Sequence, residues 1–348
     1  MINQAPSFAS RLILWQAKFG RHELPWQGTR DPYRVWLSEI MLQQTQVATV
    51  IDYFQRFVAR FPTLQQLAQA PVDEVMACWS GLGYYARARN LHACAREIVA
   101  AHAGVFPRDA HAIAALPGIG RSTANAIAVF CFAERAAILD GNVKRVLCRH
   151  FAVEGYPGAA ATERQLWRLA ESLLPAAQVG AYIQAQMDLG ATVCTRARPE
   201  CGVCPLADSC LALCHGRVAV LPQARPRQRL PQREVRLLLL VDADRVLLLR
   251  RPPVGIWGGL TSLPELPADA DAQVYALQVL GCEVANWREA PMLAHTFTHF
   301  RLSMRPLLGQ VRRLTAIADA AGAVWLRRDA LAEAALPAPI RVLLQRHF

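Results

Sequence analysis

Three groups of residues in this 348-residue chain have types and spacings suited to chemistry. The first is Leu116-Pro117-Gly118-Ile119-Gly120-Arg121-Ser122-Thr123, a glycine turn that runs into an apolar helical stretch. Gly118 and Gly120 can take positive φ and leave no side chain between backbone and ligand. The amides opening the next helix then carry the positive end of its dipole, which suits a phosphate. The second group is Leu139-Asp140-Gly141-Asn142-Val143-Lys144-Arg145, a carboxylate twenty residues beyond Gly120 with an asparagine and two cations beside it. Taken singly, such a turn is often a connector and such a segment a capped surface turn. Their succession suggests a held phosphate followed by a placed acid. The third group is Cys194, Cys201, Cys204 and Cys210, separated by six, two and five residues. Thiolates bind zinc or an iron–sulfur cluster. Structural four-cysteine zinc sites usually use two CxxC pairs, and this segment has one. Cys214 falls outside the pattern.

The elements that must position these groups are mostly helices. Phe8, Leu12, Trp15 and Phe19 share one helical face, as do Val47, Val50, Ile51, Phe54, Phe57 and Val58. Phe61-Pro62-Thr63, Ala70-Pro71 and Phe106-Pro107-Arg108-Asp109 break one helix and start the next. Residues 161–174 and 178–192 add two more amphipathic helices. Cys78, Cys94, Cys131, Cys148 and Cys282 stand singly in apolar patterns and read as small buried hydrophobes.

The pattern changes beyond Cys214. Residues 221–233 hold three prolines, four arginines and no acid, the composition of an extended basic linker. Val235–Val241 and Arg245–Arg250 are apolar runs split by Asp242-Ala243-Asp244, a hairpin signature. Further strand candidates lie near 293–309 and 322–327, so the last third reads as a smaller α+β domain.

Composition bounds the function. Lysine and arginine exceed aspartate and glutamate by 38 − 27 = 11, and the pI is about 9.5. That field suits a polyanion. No run reaches the roughly 18 to 20 apolar residues that span a bilayer, and Met1–Gly20 lacks a signal-peptide core. A soluble cytoplasmic monomer, nucleoid-associated if bacterial, is expected, with no membrane role; protein partners are unknown.

Three further motifs carry a family resemblance. Leu24-Pro25-Trp26-Gln27, Trp36-Leu37-Ser38-Glu39-Ile40-Met41-Leu42-Gln43-Gln44-Thr45-Gln46 and Gly81-Leu82-Gly83-Tyr84-Tyr85-Ala86-Arg87-Ala88-Arg89-Asn90 join the glycine turn and its aspartate. Together they resemble the A/G-specific adenine DNA glycosylase (MutY) family of helix-hairpin-helix base-excision enzymes. The likeness runs from about residue 8 to 214 and resumes in the C-terminal domain. The cysteine spacing matches the [4Fe–4S] loop of the endonuclease III superfamily, which implies a cluster on Cys194, Cys201, Cys204 and Cys210. The implied fold is a mostly α helix-hairpin-helix glycosylase region with an iron–sulfur loop, over residues 1–214. A basic linker follows at 215–232, then an α+β Nudix-like domain at 233–348.

The resemblance also implies roles. Glu39 would protonate the imidazole-ring nitrogen of adenine, which requires a carboxyl pKa raised by apolar surroundings. Asp140 would stay ionised and stabilise the oxocarbenium-like sugar, electrostatically or by transient covalent attack, a division of labour parallel to that of glycoside hydrolases. Gln44 and Tyr84 would enter the base stack when adenine is extruded. Gly118, Gly120, Arg121, Ser122, Asn142 and Lys144 would contact DNA. Bifunctional relatives carry a lysine at the place of Ser122; serine cannot form an imine, so a monofunctional hydrolase is expected. Lys144 lies near enough to Asp140 in sequence to trap an abasic sugar as a side route.

Arg250-Arg251-Pro252-Pro253, Gly255-Ile256-Trp257-Gly258-Gly259-Leu260 and Leu263-Pro264-Glu265 resemble the family's Nudix-like domain. Gly259 and Glu265 open a Nudix box whose acid-rich remainder is missing, so the domain is expected to bind without hydrolysing. Phe297-Thr298-His299 stands where the family reads 8-oxoguanine with Phe-Ser-His. The implied substrate is duplex DNA carrying adenine opposite 8-oxoguanine or guanine. The competing readings are a bifunctional endonuclease III-like lyase, a T/G mismatch glycosylase and a non-catalytic lesion-binding protein.

Overall fold

A computed structural model describes residues 7–226, 230–252, 255–315 and 322–348 of the protein. Residues 227–229 of the linker and Pro253 of the arginine–proline motif lie outside the described residues. The chain packs as two units, Met1–Gln69 with Asn90–Arg227 and Ala70–Arg89 with Gln228–Phe348. Residues 70–89, expected within the N-terminal domain, therefore pack with the C-terminal chain.

The first unit is helical. It opens with α1 (Phe8–Phe19), α2 (Pro32–Leu42), α3 (Val47–Arg60) and α4 (Leu64–Gln69); α5 (Val72–Cys78) and the first residues of α6 (Ala86–Ala101) belong to the second unit. The rest of α6 is followed by α7 (Ala110–Ala114), α8 (Arg121–Phe132), α9 (Gly141–His150), α10 (Ala160–Ser172), α11 (Val179–Thr192) and the short α12 (Leu211–Cys214). The caps agree with the sequence. Ser7 accepts from the Ser10 amide, Asp31 precedes Pro32 at the first helical position, and Asp109 caps α7. Leu12 and Trp15 of α1 meet Val143 and Leu147 of α9, Leu166 of α10 and Ile183 and Leu189 of α11 in one core. The stripe on α1 is shorter than its spacing suggests, because Phe19 in the last turn is 61 % exposed.

Helices α2 and α8 are apolar on nearly every side, the pattern of helices enclosed by others. Tyr33, Val35, Trp36, Leu37, Ile40 and Met41 of α2 are buried, and so are residues 123–129 of α8. A polar side chain on either helix must therefore face protein or a cleft.

The second unit is built on a sheet. It contains β1 (Gln232–Asp242), β2 (Arg245–Arg250), β3 (Thr261–Ser262), β4 (Glu265–Leu266), α13 (Ala272–Gln278), β5 (Cys282–Glu289), β6 (Leu293–Thr296), β7 (Arg301–Leu314), β8 (Ala323–Arg327) and α14 (Ala338–His347). The strand order is β3-β2-β1-β7-β5, with β4 on β1, β6 on β7 and β8 on β2. The pair β1–β2 is the expected hairpin, with Asp242 opposite Arg245 and Ala243 left-handed at its tip. Strand β1 lies parallel to β7, with Leu238 opposite Leu307. Its four consecutive leucines are buried on both faces: Leu237 and Leu239 pack with Ile340 and Leu343 of α14, and Leu238 and Leu240 pack with Ala276 of α13. The single strand expected over 293–309 is instead the hairpin β6–β7, turned at 297–300 by a Phe297 amide bond to the Phe300 carbonyl.

No described helix is long and apolar enough to cross a membrane. Cys94, Cys131, Cys148 and Cys282 are buried as expected, whereas Cys78 is half-buried.

Candidate active site

A cleft of about 960 Å³ opens within the helical unit, and Glu39, Gln44, Ser122, Asp140, Asn142 and Arg145 all line it. Glu39 is the one charged side chain of α2 on this side, carried into the cleft by a helix whose other faces are core. Burial first, and the neighbouring Asp140 second, together raise its carboxyl from an ordinary 4.5 to about 8. No hydrogen bond or cation among the described residues offsets this.

Asp140 stands at the N-terminus of α9 as its cap. Its Oδ1 accepts from the Val143 amide at 2.7 Å, and its Oδ2 from the Asn142 side chain at 3.4 Å. Burial raises its carboxyl as well, while the Val143 and Asn142 amides and Arg145 pull it down. Of the two acids, Asp140 alone has a helix dipole, amides and a cation to hold negative charge. The geometry gives one carboxyl that keeps its proton and one better fitted to lose it.

The segment before Asp140 is pinned by α8. The Leu139 amide donates to Ser122 Oγ at 3.0 Å, and Asn125 Nδ2 donates to the Ala137 carbonyl at 2.6 Å. Ser122 thus does positional work beside the acid. In the glycine turn, Gly118 has φ +75° and a Cβ there would lie 2.6 Å from Asn90 Cβ. Gly120 departs from the expectation of positive φ. It is the extended N-cap of α8 at φ −88°, with open space where a Cβ would project, so only its smallness serves an approaching ligand.

Other expected residues have different surroundings. Arg121 is stacked 3.9 Å over the Trp167 ring and paired with Glu171. Lys144 does not line the cleft and is paired with Glu163 at 2.6 Å, which occupies the ammonium expected to trap an abasic sugar. Gln44 lies in the cleft with left-handed backbone at φ 57°. Tyr84 belongs to the second unit, is 49 % exposed, and is left-handed at φ 48°. Non-glycine residues in that region are strained by about 1 kcal/mol or more, a cost concentrated at functional positions. Phe297, Thr298 and His299 form the turn of the β6–β7 hairpin. Phe297 stacks on Phe300 at 4.5 Å, and the Thr298 hydroxyl lies 3.3 Å from His299 Nδ1. Glu265 of the partial Nudix box is ion-paired with Arg251.

Several residues that build the cleft carry no signal in the local sequence. Arg21 lines it and holds the fully buried Asp188 of α11 at 2.7 Å, with Gln184 Nε2 donating to the same carboxylate at 3.0 Å. Arg21 and Asp188 lie 167 positions apart in the chain, and no local spacing announces their pairing. Arg145 was visible only as a charge beside Asp140. It donates to Asn142 Oδ1 at 2.8 Å, to the Gly190 carbonyl at 2.6 Å and to the Cys194 carbonyl at 2.7 Å. One turn along α9, the buried Arg149 donates to the carbonyls of Thr195 at 2.7 Å and Leu221 at 2.8 Å, and to Cys194 Sγ at 3.4 Å.

Cys194, Cys201, Cys204 and Cys210 line one small cavity of about 30 Å³ together with Arg149. Among the described residues no three donors close on a single point as a lone metal ion requires. The donor set is all sulfur, with neither histidine nor carboxylate among the cavity's lining.

Comparison with known proteins agrees with this architecture. Residues 37–172 match the HhH-GPD superfamily of base excision DNA repair proteins, and residues 236–346 match the NUDIX domain. An adenine DNA glycosylase of Buchnera aphidicola is 32 % identical, covering 97 % of this chain and 96 % of its own. The Homo sapiens adenine DNA glycosylase is 34 % identical over 96 % of this chain and 73 % of its own. Among solved structures, a thermostable thymine-DNA glycosylase is 29 % identical with a TM-score of 0.55, covering 60 % of this chain and 95 % of that one. An endonuclease III–DNA complex, 21 % identical with a TM-score of 0.51, shares the fold. With relatives of this identity over nearly its whole length, the chain belongs to the adenine DNA glycosylase family, base-excision repair enzymes that hydrolyse N-glycosyl bonds in DNA.

Proposed function

We propose that the enzyme hydrolyses the N-glycosidic bond of adenine paired with 8-oxoguanine or guanine, and that it does so without cutting the strand. The observation that carries this reading is the carboxyl pair in the cleft, one acid raised to about 8 and the other capped by amides. At neutral pH Glu39 holds a proton that it can give to the adenine ring nitrogen, making the base a neutral leaving group. A positioned acid of this kind accelerates a reaction by roughly 10²–10⁴-fold. The Asp140 carboxylate lies where positive charge develops on the sugar and stabilises it there. An adenine seated in the cleft displaces water from beside both acids, which strengthens that interaction.

Reaching the base requires extruding it from the duplex, at a few kcal/mol of unstacking. Gln44 and Tyr84, both already held in the left-handed conformation, fill the space left behind. The helix-hairpin-helix turn at 118–120 receives a phosphate on the first amides of α8. Ser122 offers no amine, and Lys144 is bound to Glu163, so no nucleophile for β-elimination lines the cleft among the described residues. The hairpin turn at Phe297, Thr298 and His299 reads the base opposite adenine, with the exposed Thr298 and His299 supplying side-chain hydrogen bonds. A thymine-specific reading leaves this hairpin and its domain without a purpose.

The four cysteines suit a [4Fe–4S] cluster. Such a cluster takes one thiolate per iron, so its ligands ring a cavity instead of meeting at one ion. When bound, it would supply a rigid cross-link for the loop at 194–210. Arg145 and Arg149 tie that loop to α9, the helix that Asp140 caps.

The test is single-turnover cleavage of duplexes with adenine opposite 8-oxoguanine or guanine, with and without alkali. Adenine release with the abasic strand intact until alkali is added is the expected result. Strand scission at the rate of base release, or no adenine release, would overturn the reading.

A further inference from the structure

Within the second unit, the segment that carries Tyr84 is fastened to the sheet domain that carries the Phe297–His299 hairpin. Arg89 Nη1 donates to the Gly258 carbonyl at 2.5 Å, and Tyr85 Oη donates to the Leu336 carbonyl at 3.3 Å. Arg341 Nη2 donates to Ser80 Oγ at 3.0 Å, and Arg250 is paired with Asp73. Of these four ties, the Arg89 bond ends on the turn whose aromatic side chain lies beside the tip of the hairpin. Trp257, immediately before Gly258, is left-handed at φ 54°. Its ring lies 5.7 Å from that of Phe297 and 6.3 Å from that of His295. His295 in turn meets Phe297 edge-on at 4.6 Å. At the other end, the Arg89 amide bonds to the Tyr85 carbonyl and the Arg87 amide to the Tyr84 carbonyl, so guanidinium and wedge share one short turn.

We propose that Arg89, through the Trp257–Gly258 turn, couples the Tyr84 wedge to the hairpin that reads the opposite base, and so acts as a specificity-positioning residue. It touches no reacting atom. The proposal rests on the reading of 297–299 as the lesion reader and Tyr84 as the wedge. The physical case is the path itself: backbone turn, hydrogen bond, aromatic contact, hairpin tip. A strained Trp257 stays left-handed only while its surroundings hold it, and the Arg89 bond is one of those holds. Arg251 Nε, donating to the Ile256 carbonyl at 2.8 Å, is another. A hairpin seated correctly on 8-oxoguanine then favours one position of the wedge. A hairpin unseated on guanine does not.

The test is the ratio of single-turnover rates for adenine opposite 8-oxoguanine and opposite guanine. Arg89→Ala should lower that ratio about tenfold, within the usual 5- to 150-fold range of coupling between sites, while the rate opposite guanine stays within about threefold. Arg89→Lys, which keeps a donor for the Gly258 carbonyl, should recover most of the ratio; a merely structural loss would depress both rates together. Trp257→Ala should reproduce the loss if Arg89→Ala folds poorly. In the background of alanine at Phe297, Thr298 and His299, Arg89→Ala should leave the ratio unchanged. If the triple substitution collapses the ratio but Arg89→Ala and Trp257→Ala do not, the coupling is refuted and the hairpin reading stands. If the triple substitution itself leaves the ratio intact, the hairpin is not the reader and both fall.

Discussion

The raised pKa of Glu39 makes a prediction with two readouts. With the carboxyl at about 8, roughly nine side chains in ten hold the proton at pH 7; at the ordinary value of 4.5 only about one in three hundred would. Burial thus enriches the competent form several-hundredfold. The single-turnover rate should fall on the alkaline side with a midpoint at or above about 8, and for a midpoint of 8 the rate at pH 9 should be about tenfold below that at pH 7. Glu39→Gln should lose excision by orders of magnitude and its residual rate should lack that limb. The same residue bears on stability with the opposite sign. A carboxyl whose folded value exceeds its unfolded one contributes nothing adverse below 4.5, then costs about 1.4 kcal/mol per pH unit up to about 8. At pH 7 the cost is about 3 kcal/mol. Glu39→Gln should therefore be the more stable protein at pH 7 to 8 by denaturant unfolding, with the gap closing as pH falls towards 4.5. An alkaline midpoint below about 6.5, or an unchanged limb in Glu39→Gln, would refute the assignment of this side chain as the acid.

Other outcomes follow from the same geometry. Asp140→Asn should bind lesion duplex in a gel-shift assay yet lose excision by orders of magnitude; near-normal excision would remove the carboxylate from the mechanism. Purified without air, the protein should be yellow-brown with four irons and four sulfides per chain, and zinc in place of iron by elemental analysis would end the cluster reading. A chain ending near residue 225 should still excise adenine opposite guanine slowly, read by single-turnover kinetics. Retention of full 8-oxoguanine preference by that fragment would move recognition out of the C-terminal chain. Lys144→Ala should leave base release within a fewfold of normal, since its ammonium is engaged by Glu163.

Much of this was legible in the sequence because it is local. Helix spacing, proline breaks, the 242–244 hairpin turn and the continuous apolar run of β1 depend on residues within a few positions of one another. The pair Glu39 and Asp140 was reachable only through the family motifs, since the two lie about a hundred residues apart. Periodicity misplaced Phe19 because the stripe on α1 outlasts the neighbour it packs against. It also merged β6 and β7, since Phe297 and Phe300 carry the apolar pattern straight through a turn. Illegible altogether were the long-range ties: Arg21 to Asp188, Arg89 to Gly258, and the two arginines of α9 reaching the cysteine loop. Isolated arginines are common, and nothing in their neighbours says which carbonyl a guanidinium will meet.

The hydrogen bond from the Leu139 amide to Ser122 has an evolutionary consequence. Serine at this place is more than a missing amine. Its short hydroxyl holds the backbone one residue before Asp140, and a lysine there would extend past the amide and leave it without its acceptor. A buried amide stripped of its partner costs about 1 to 3 kcal/mol, a large share of the margin on which a domain stands. A lysine at this place therefore has to come with, or after, a second acceptor for the Leu139 amide. A change of the catalytic repertoire at this position is thus gated by a backbone anchor, and the anchor has to be replaced before the side chain can be.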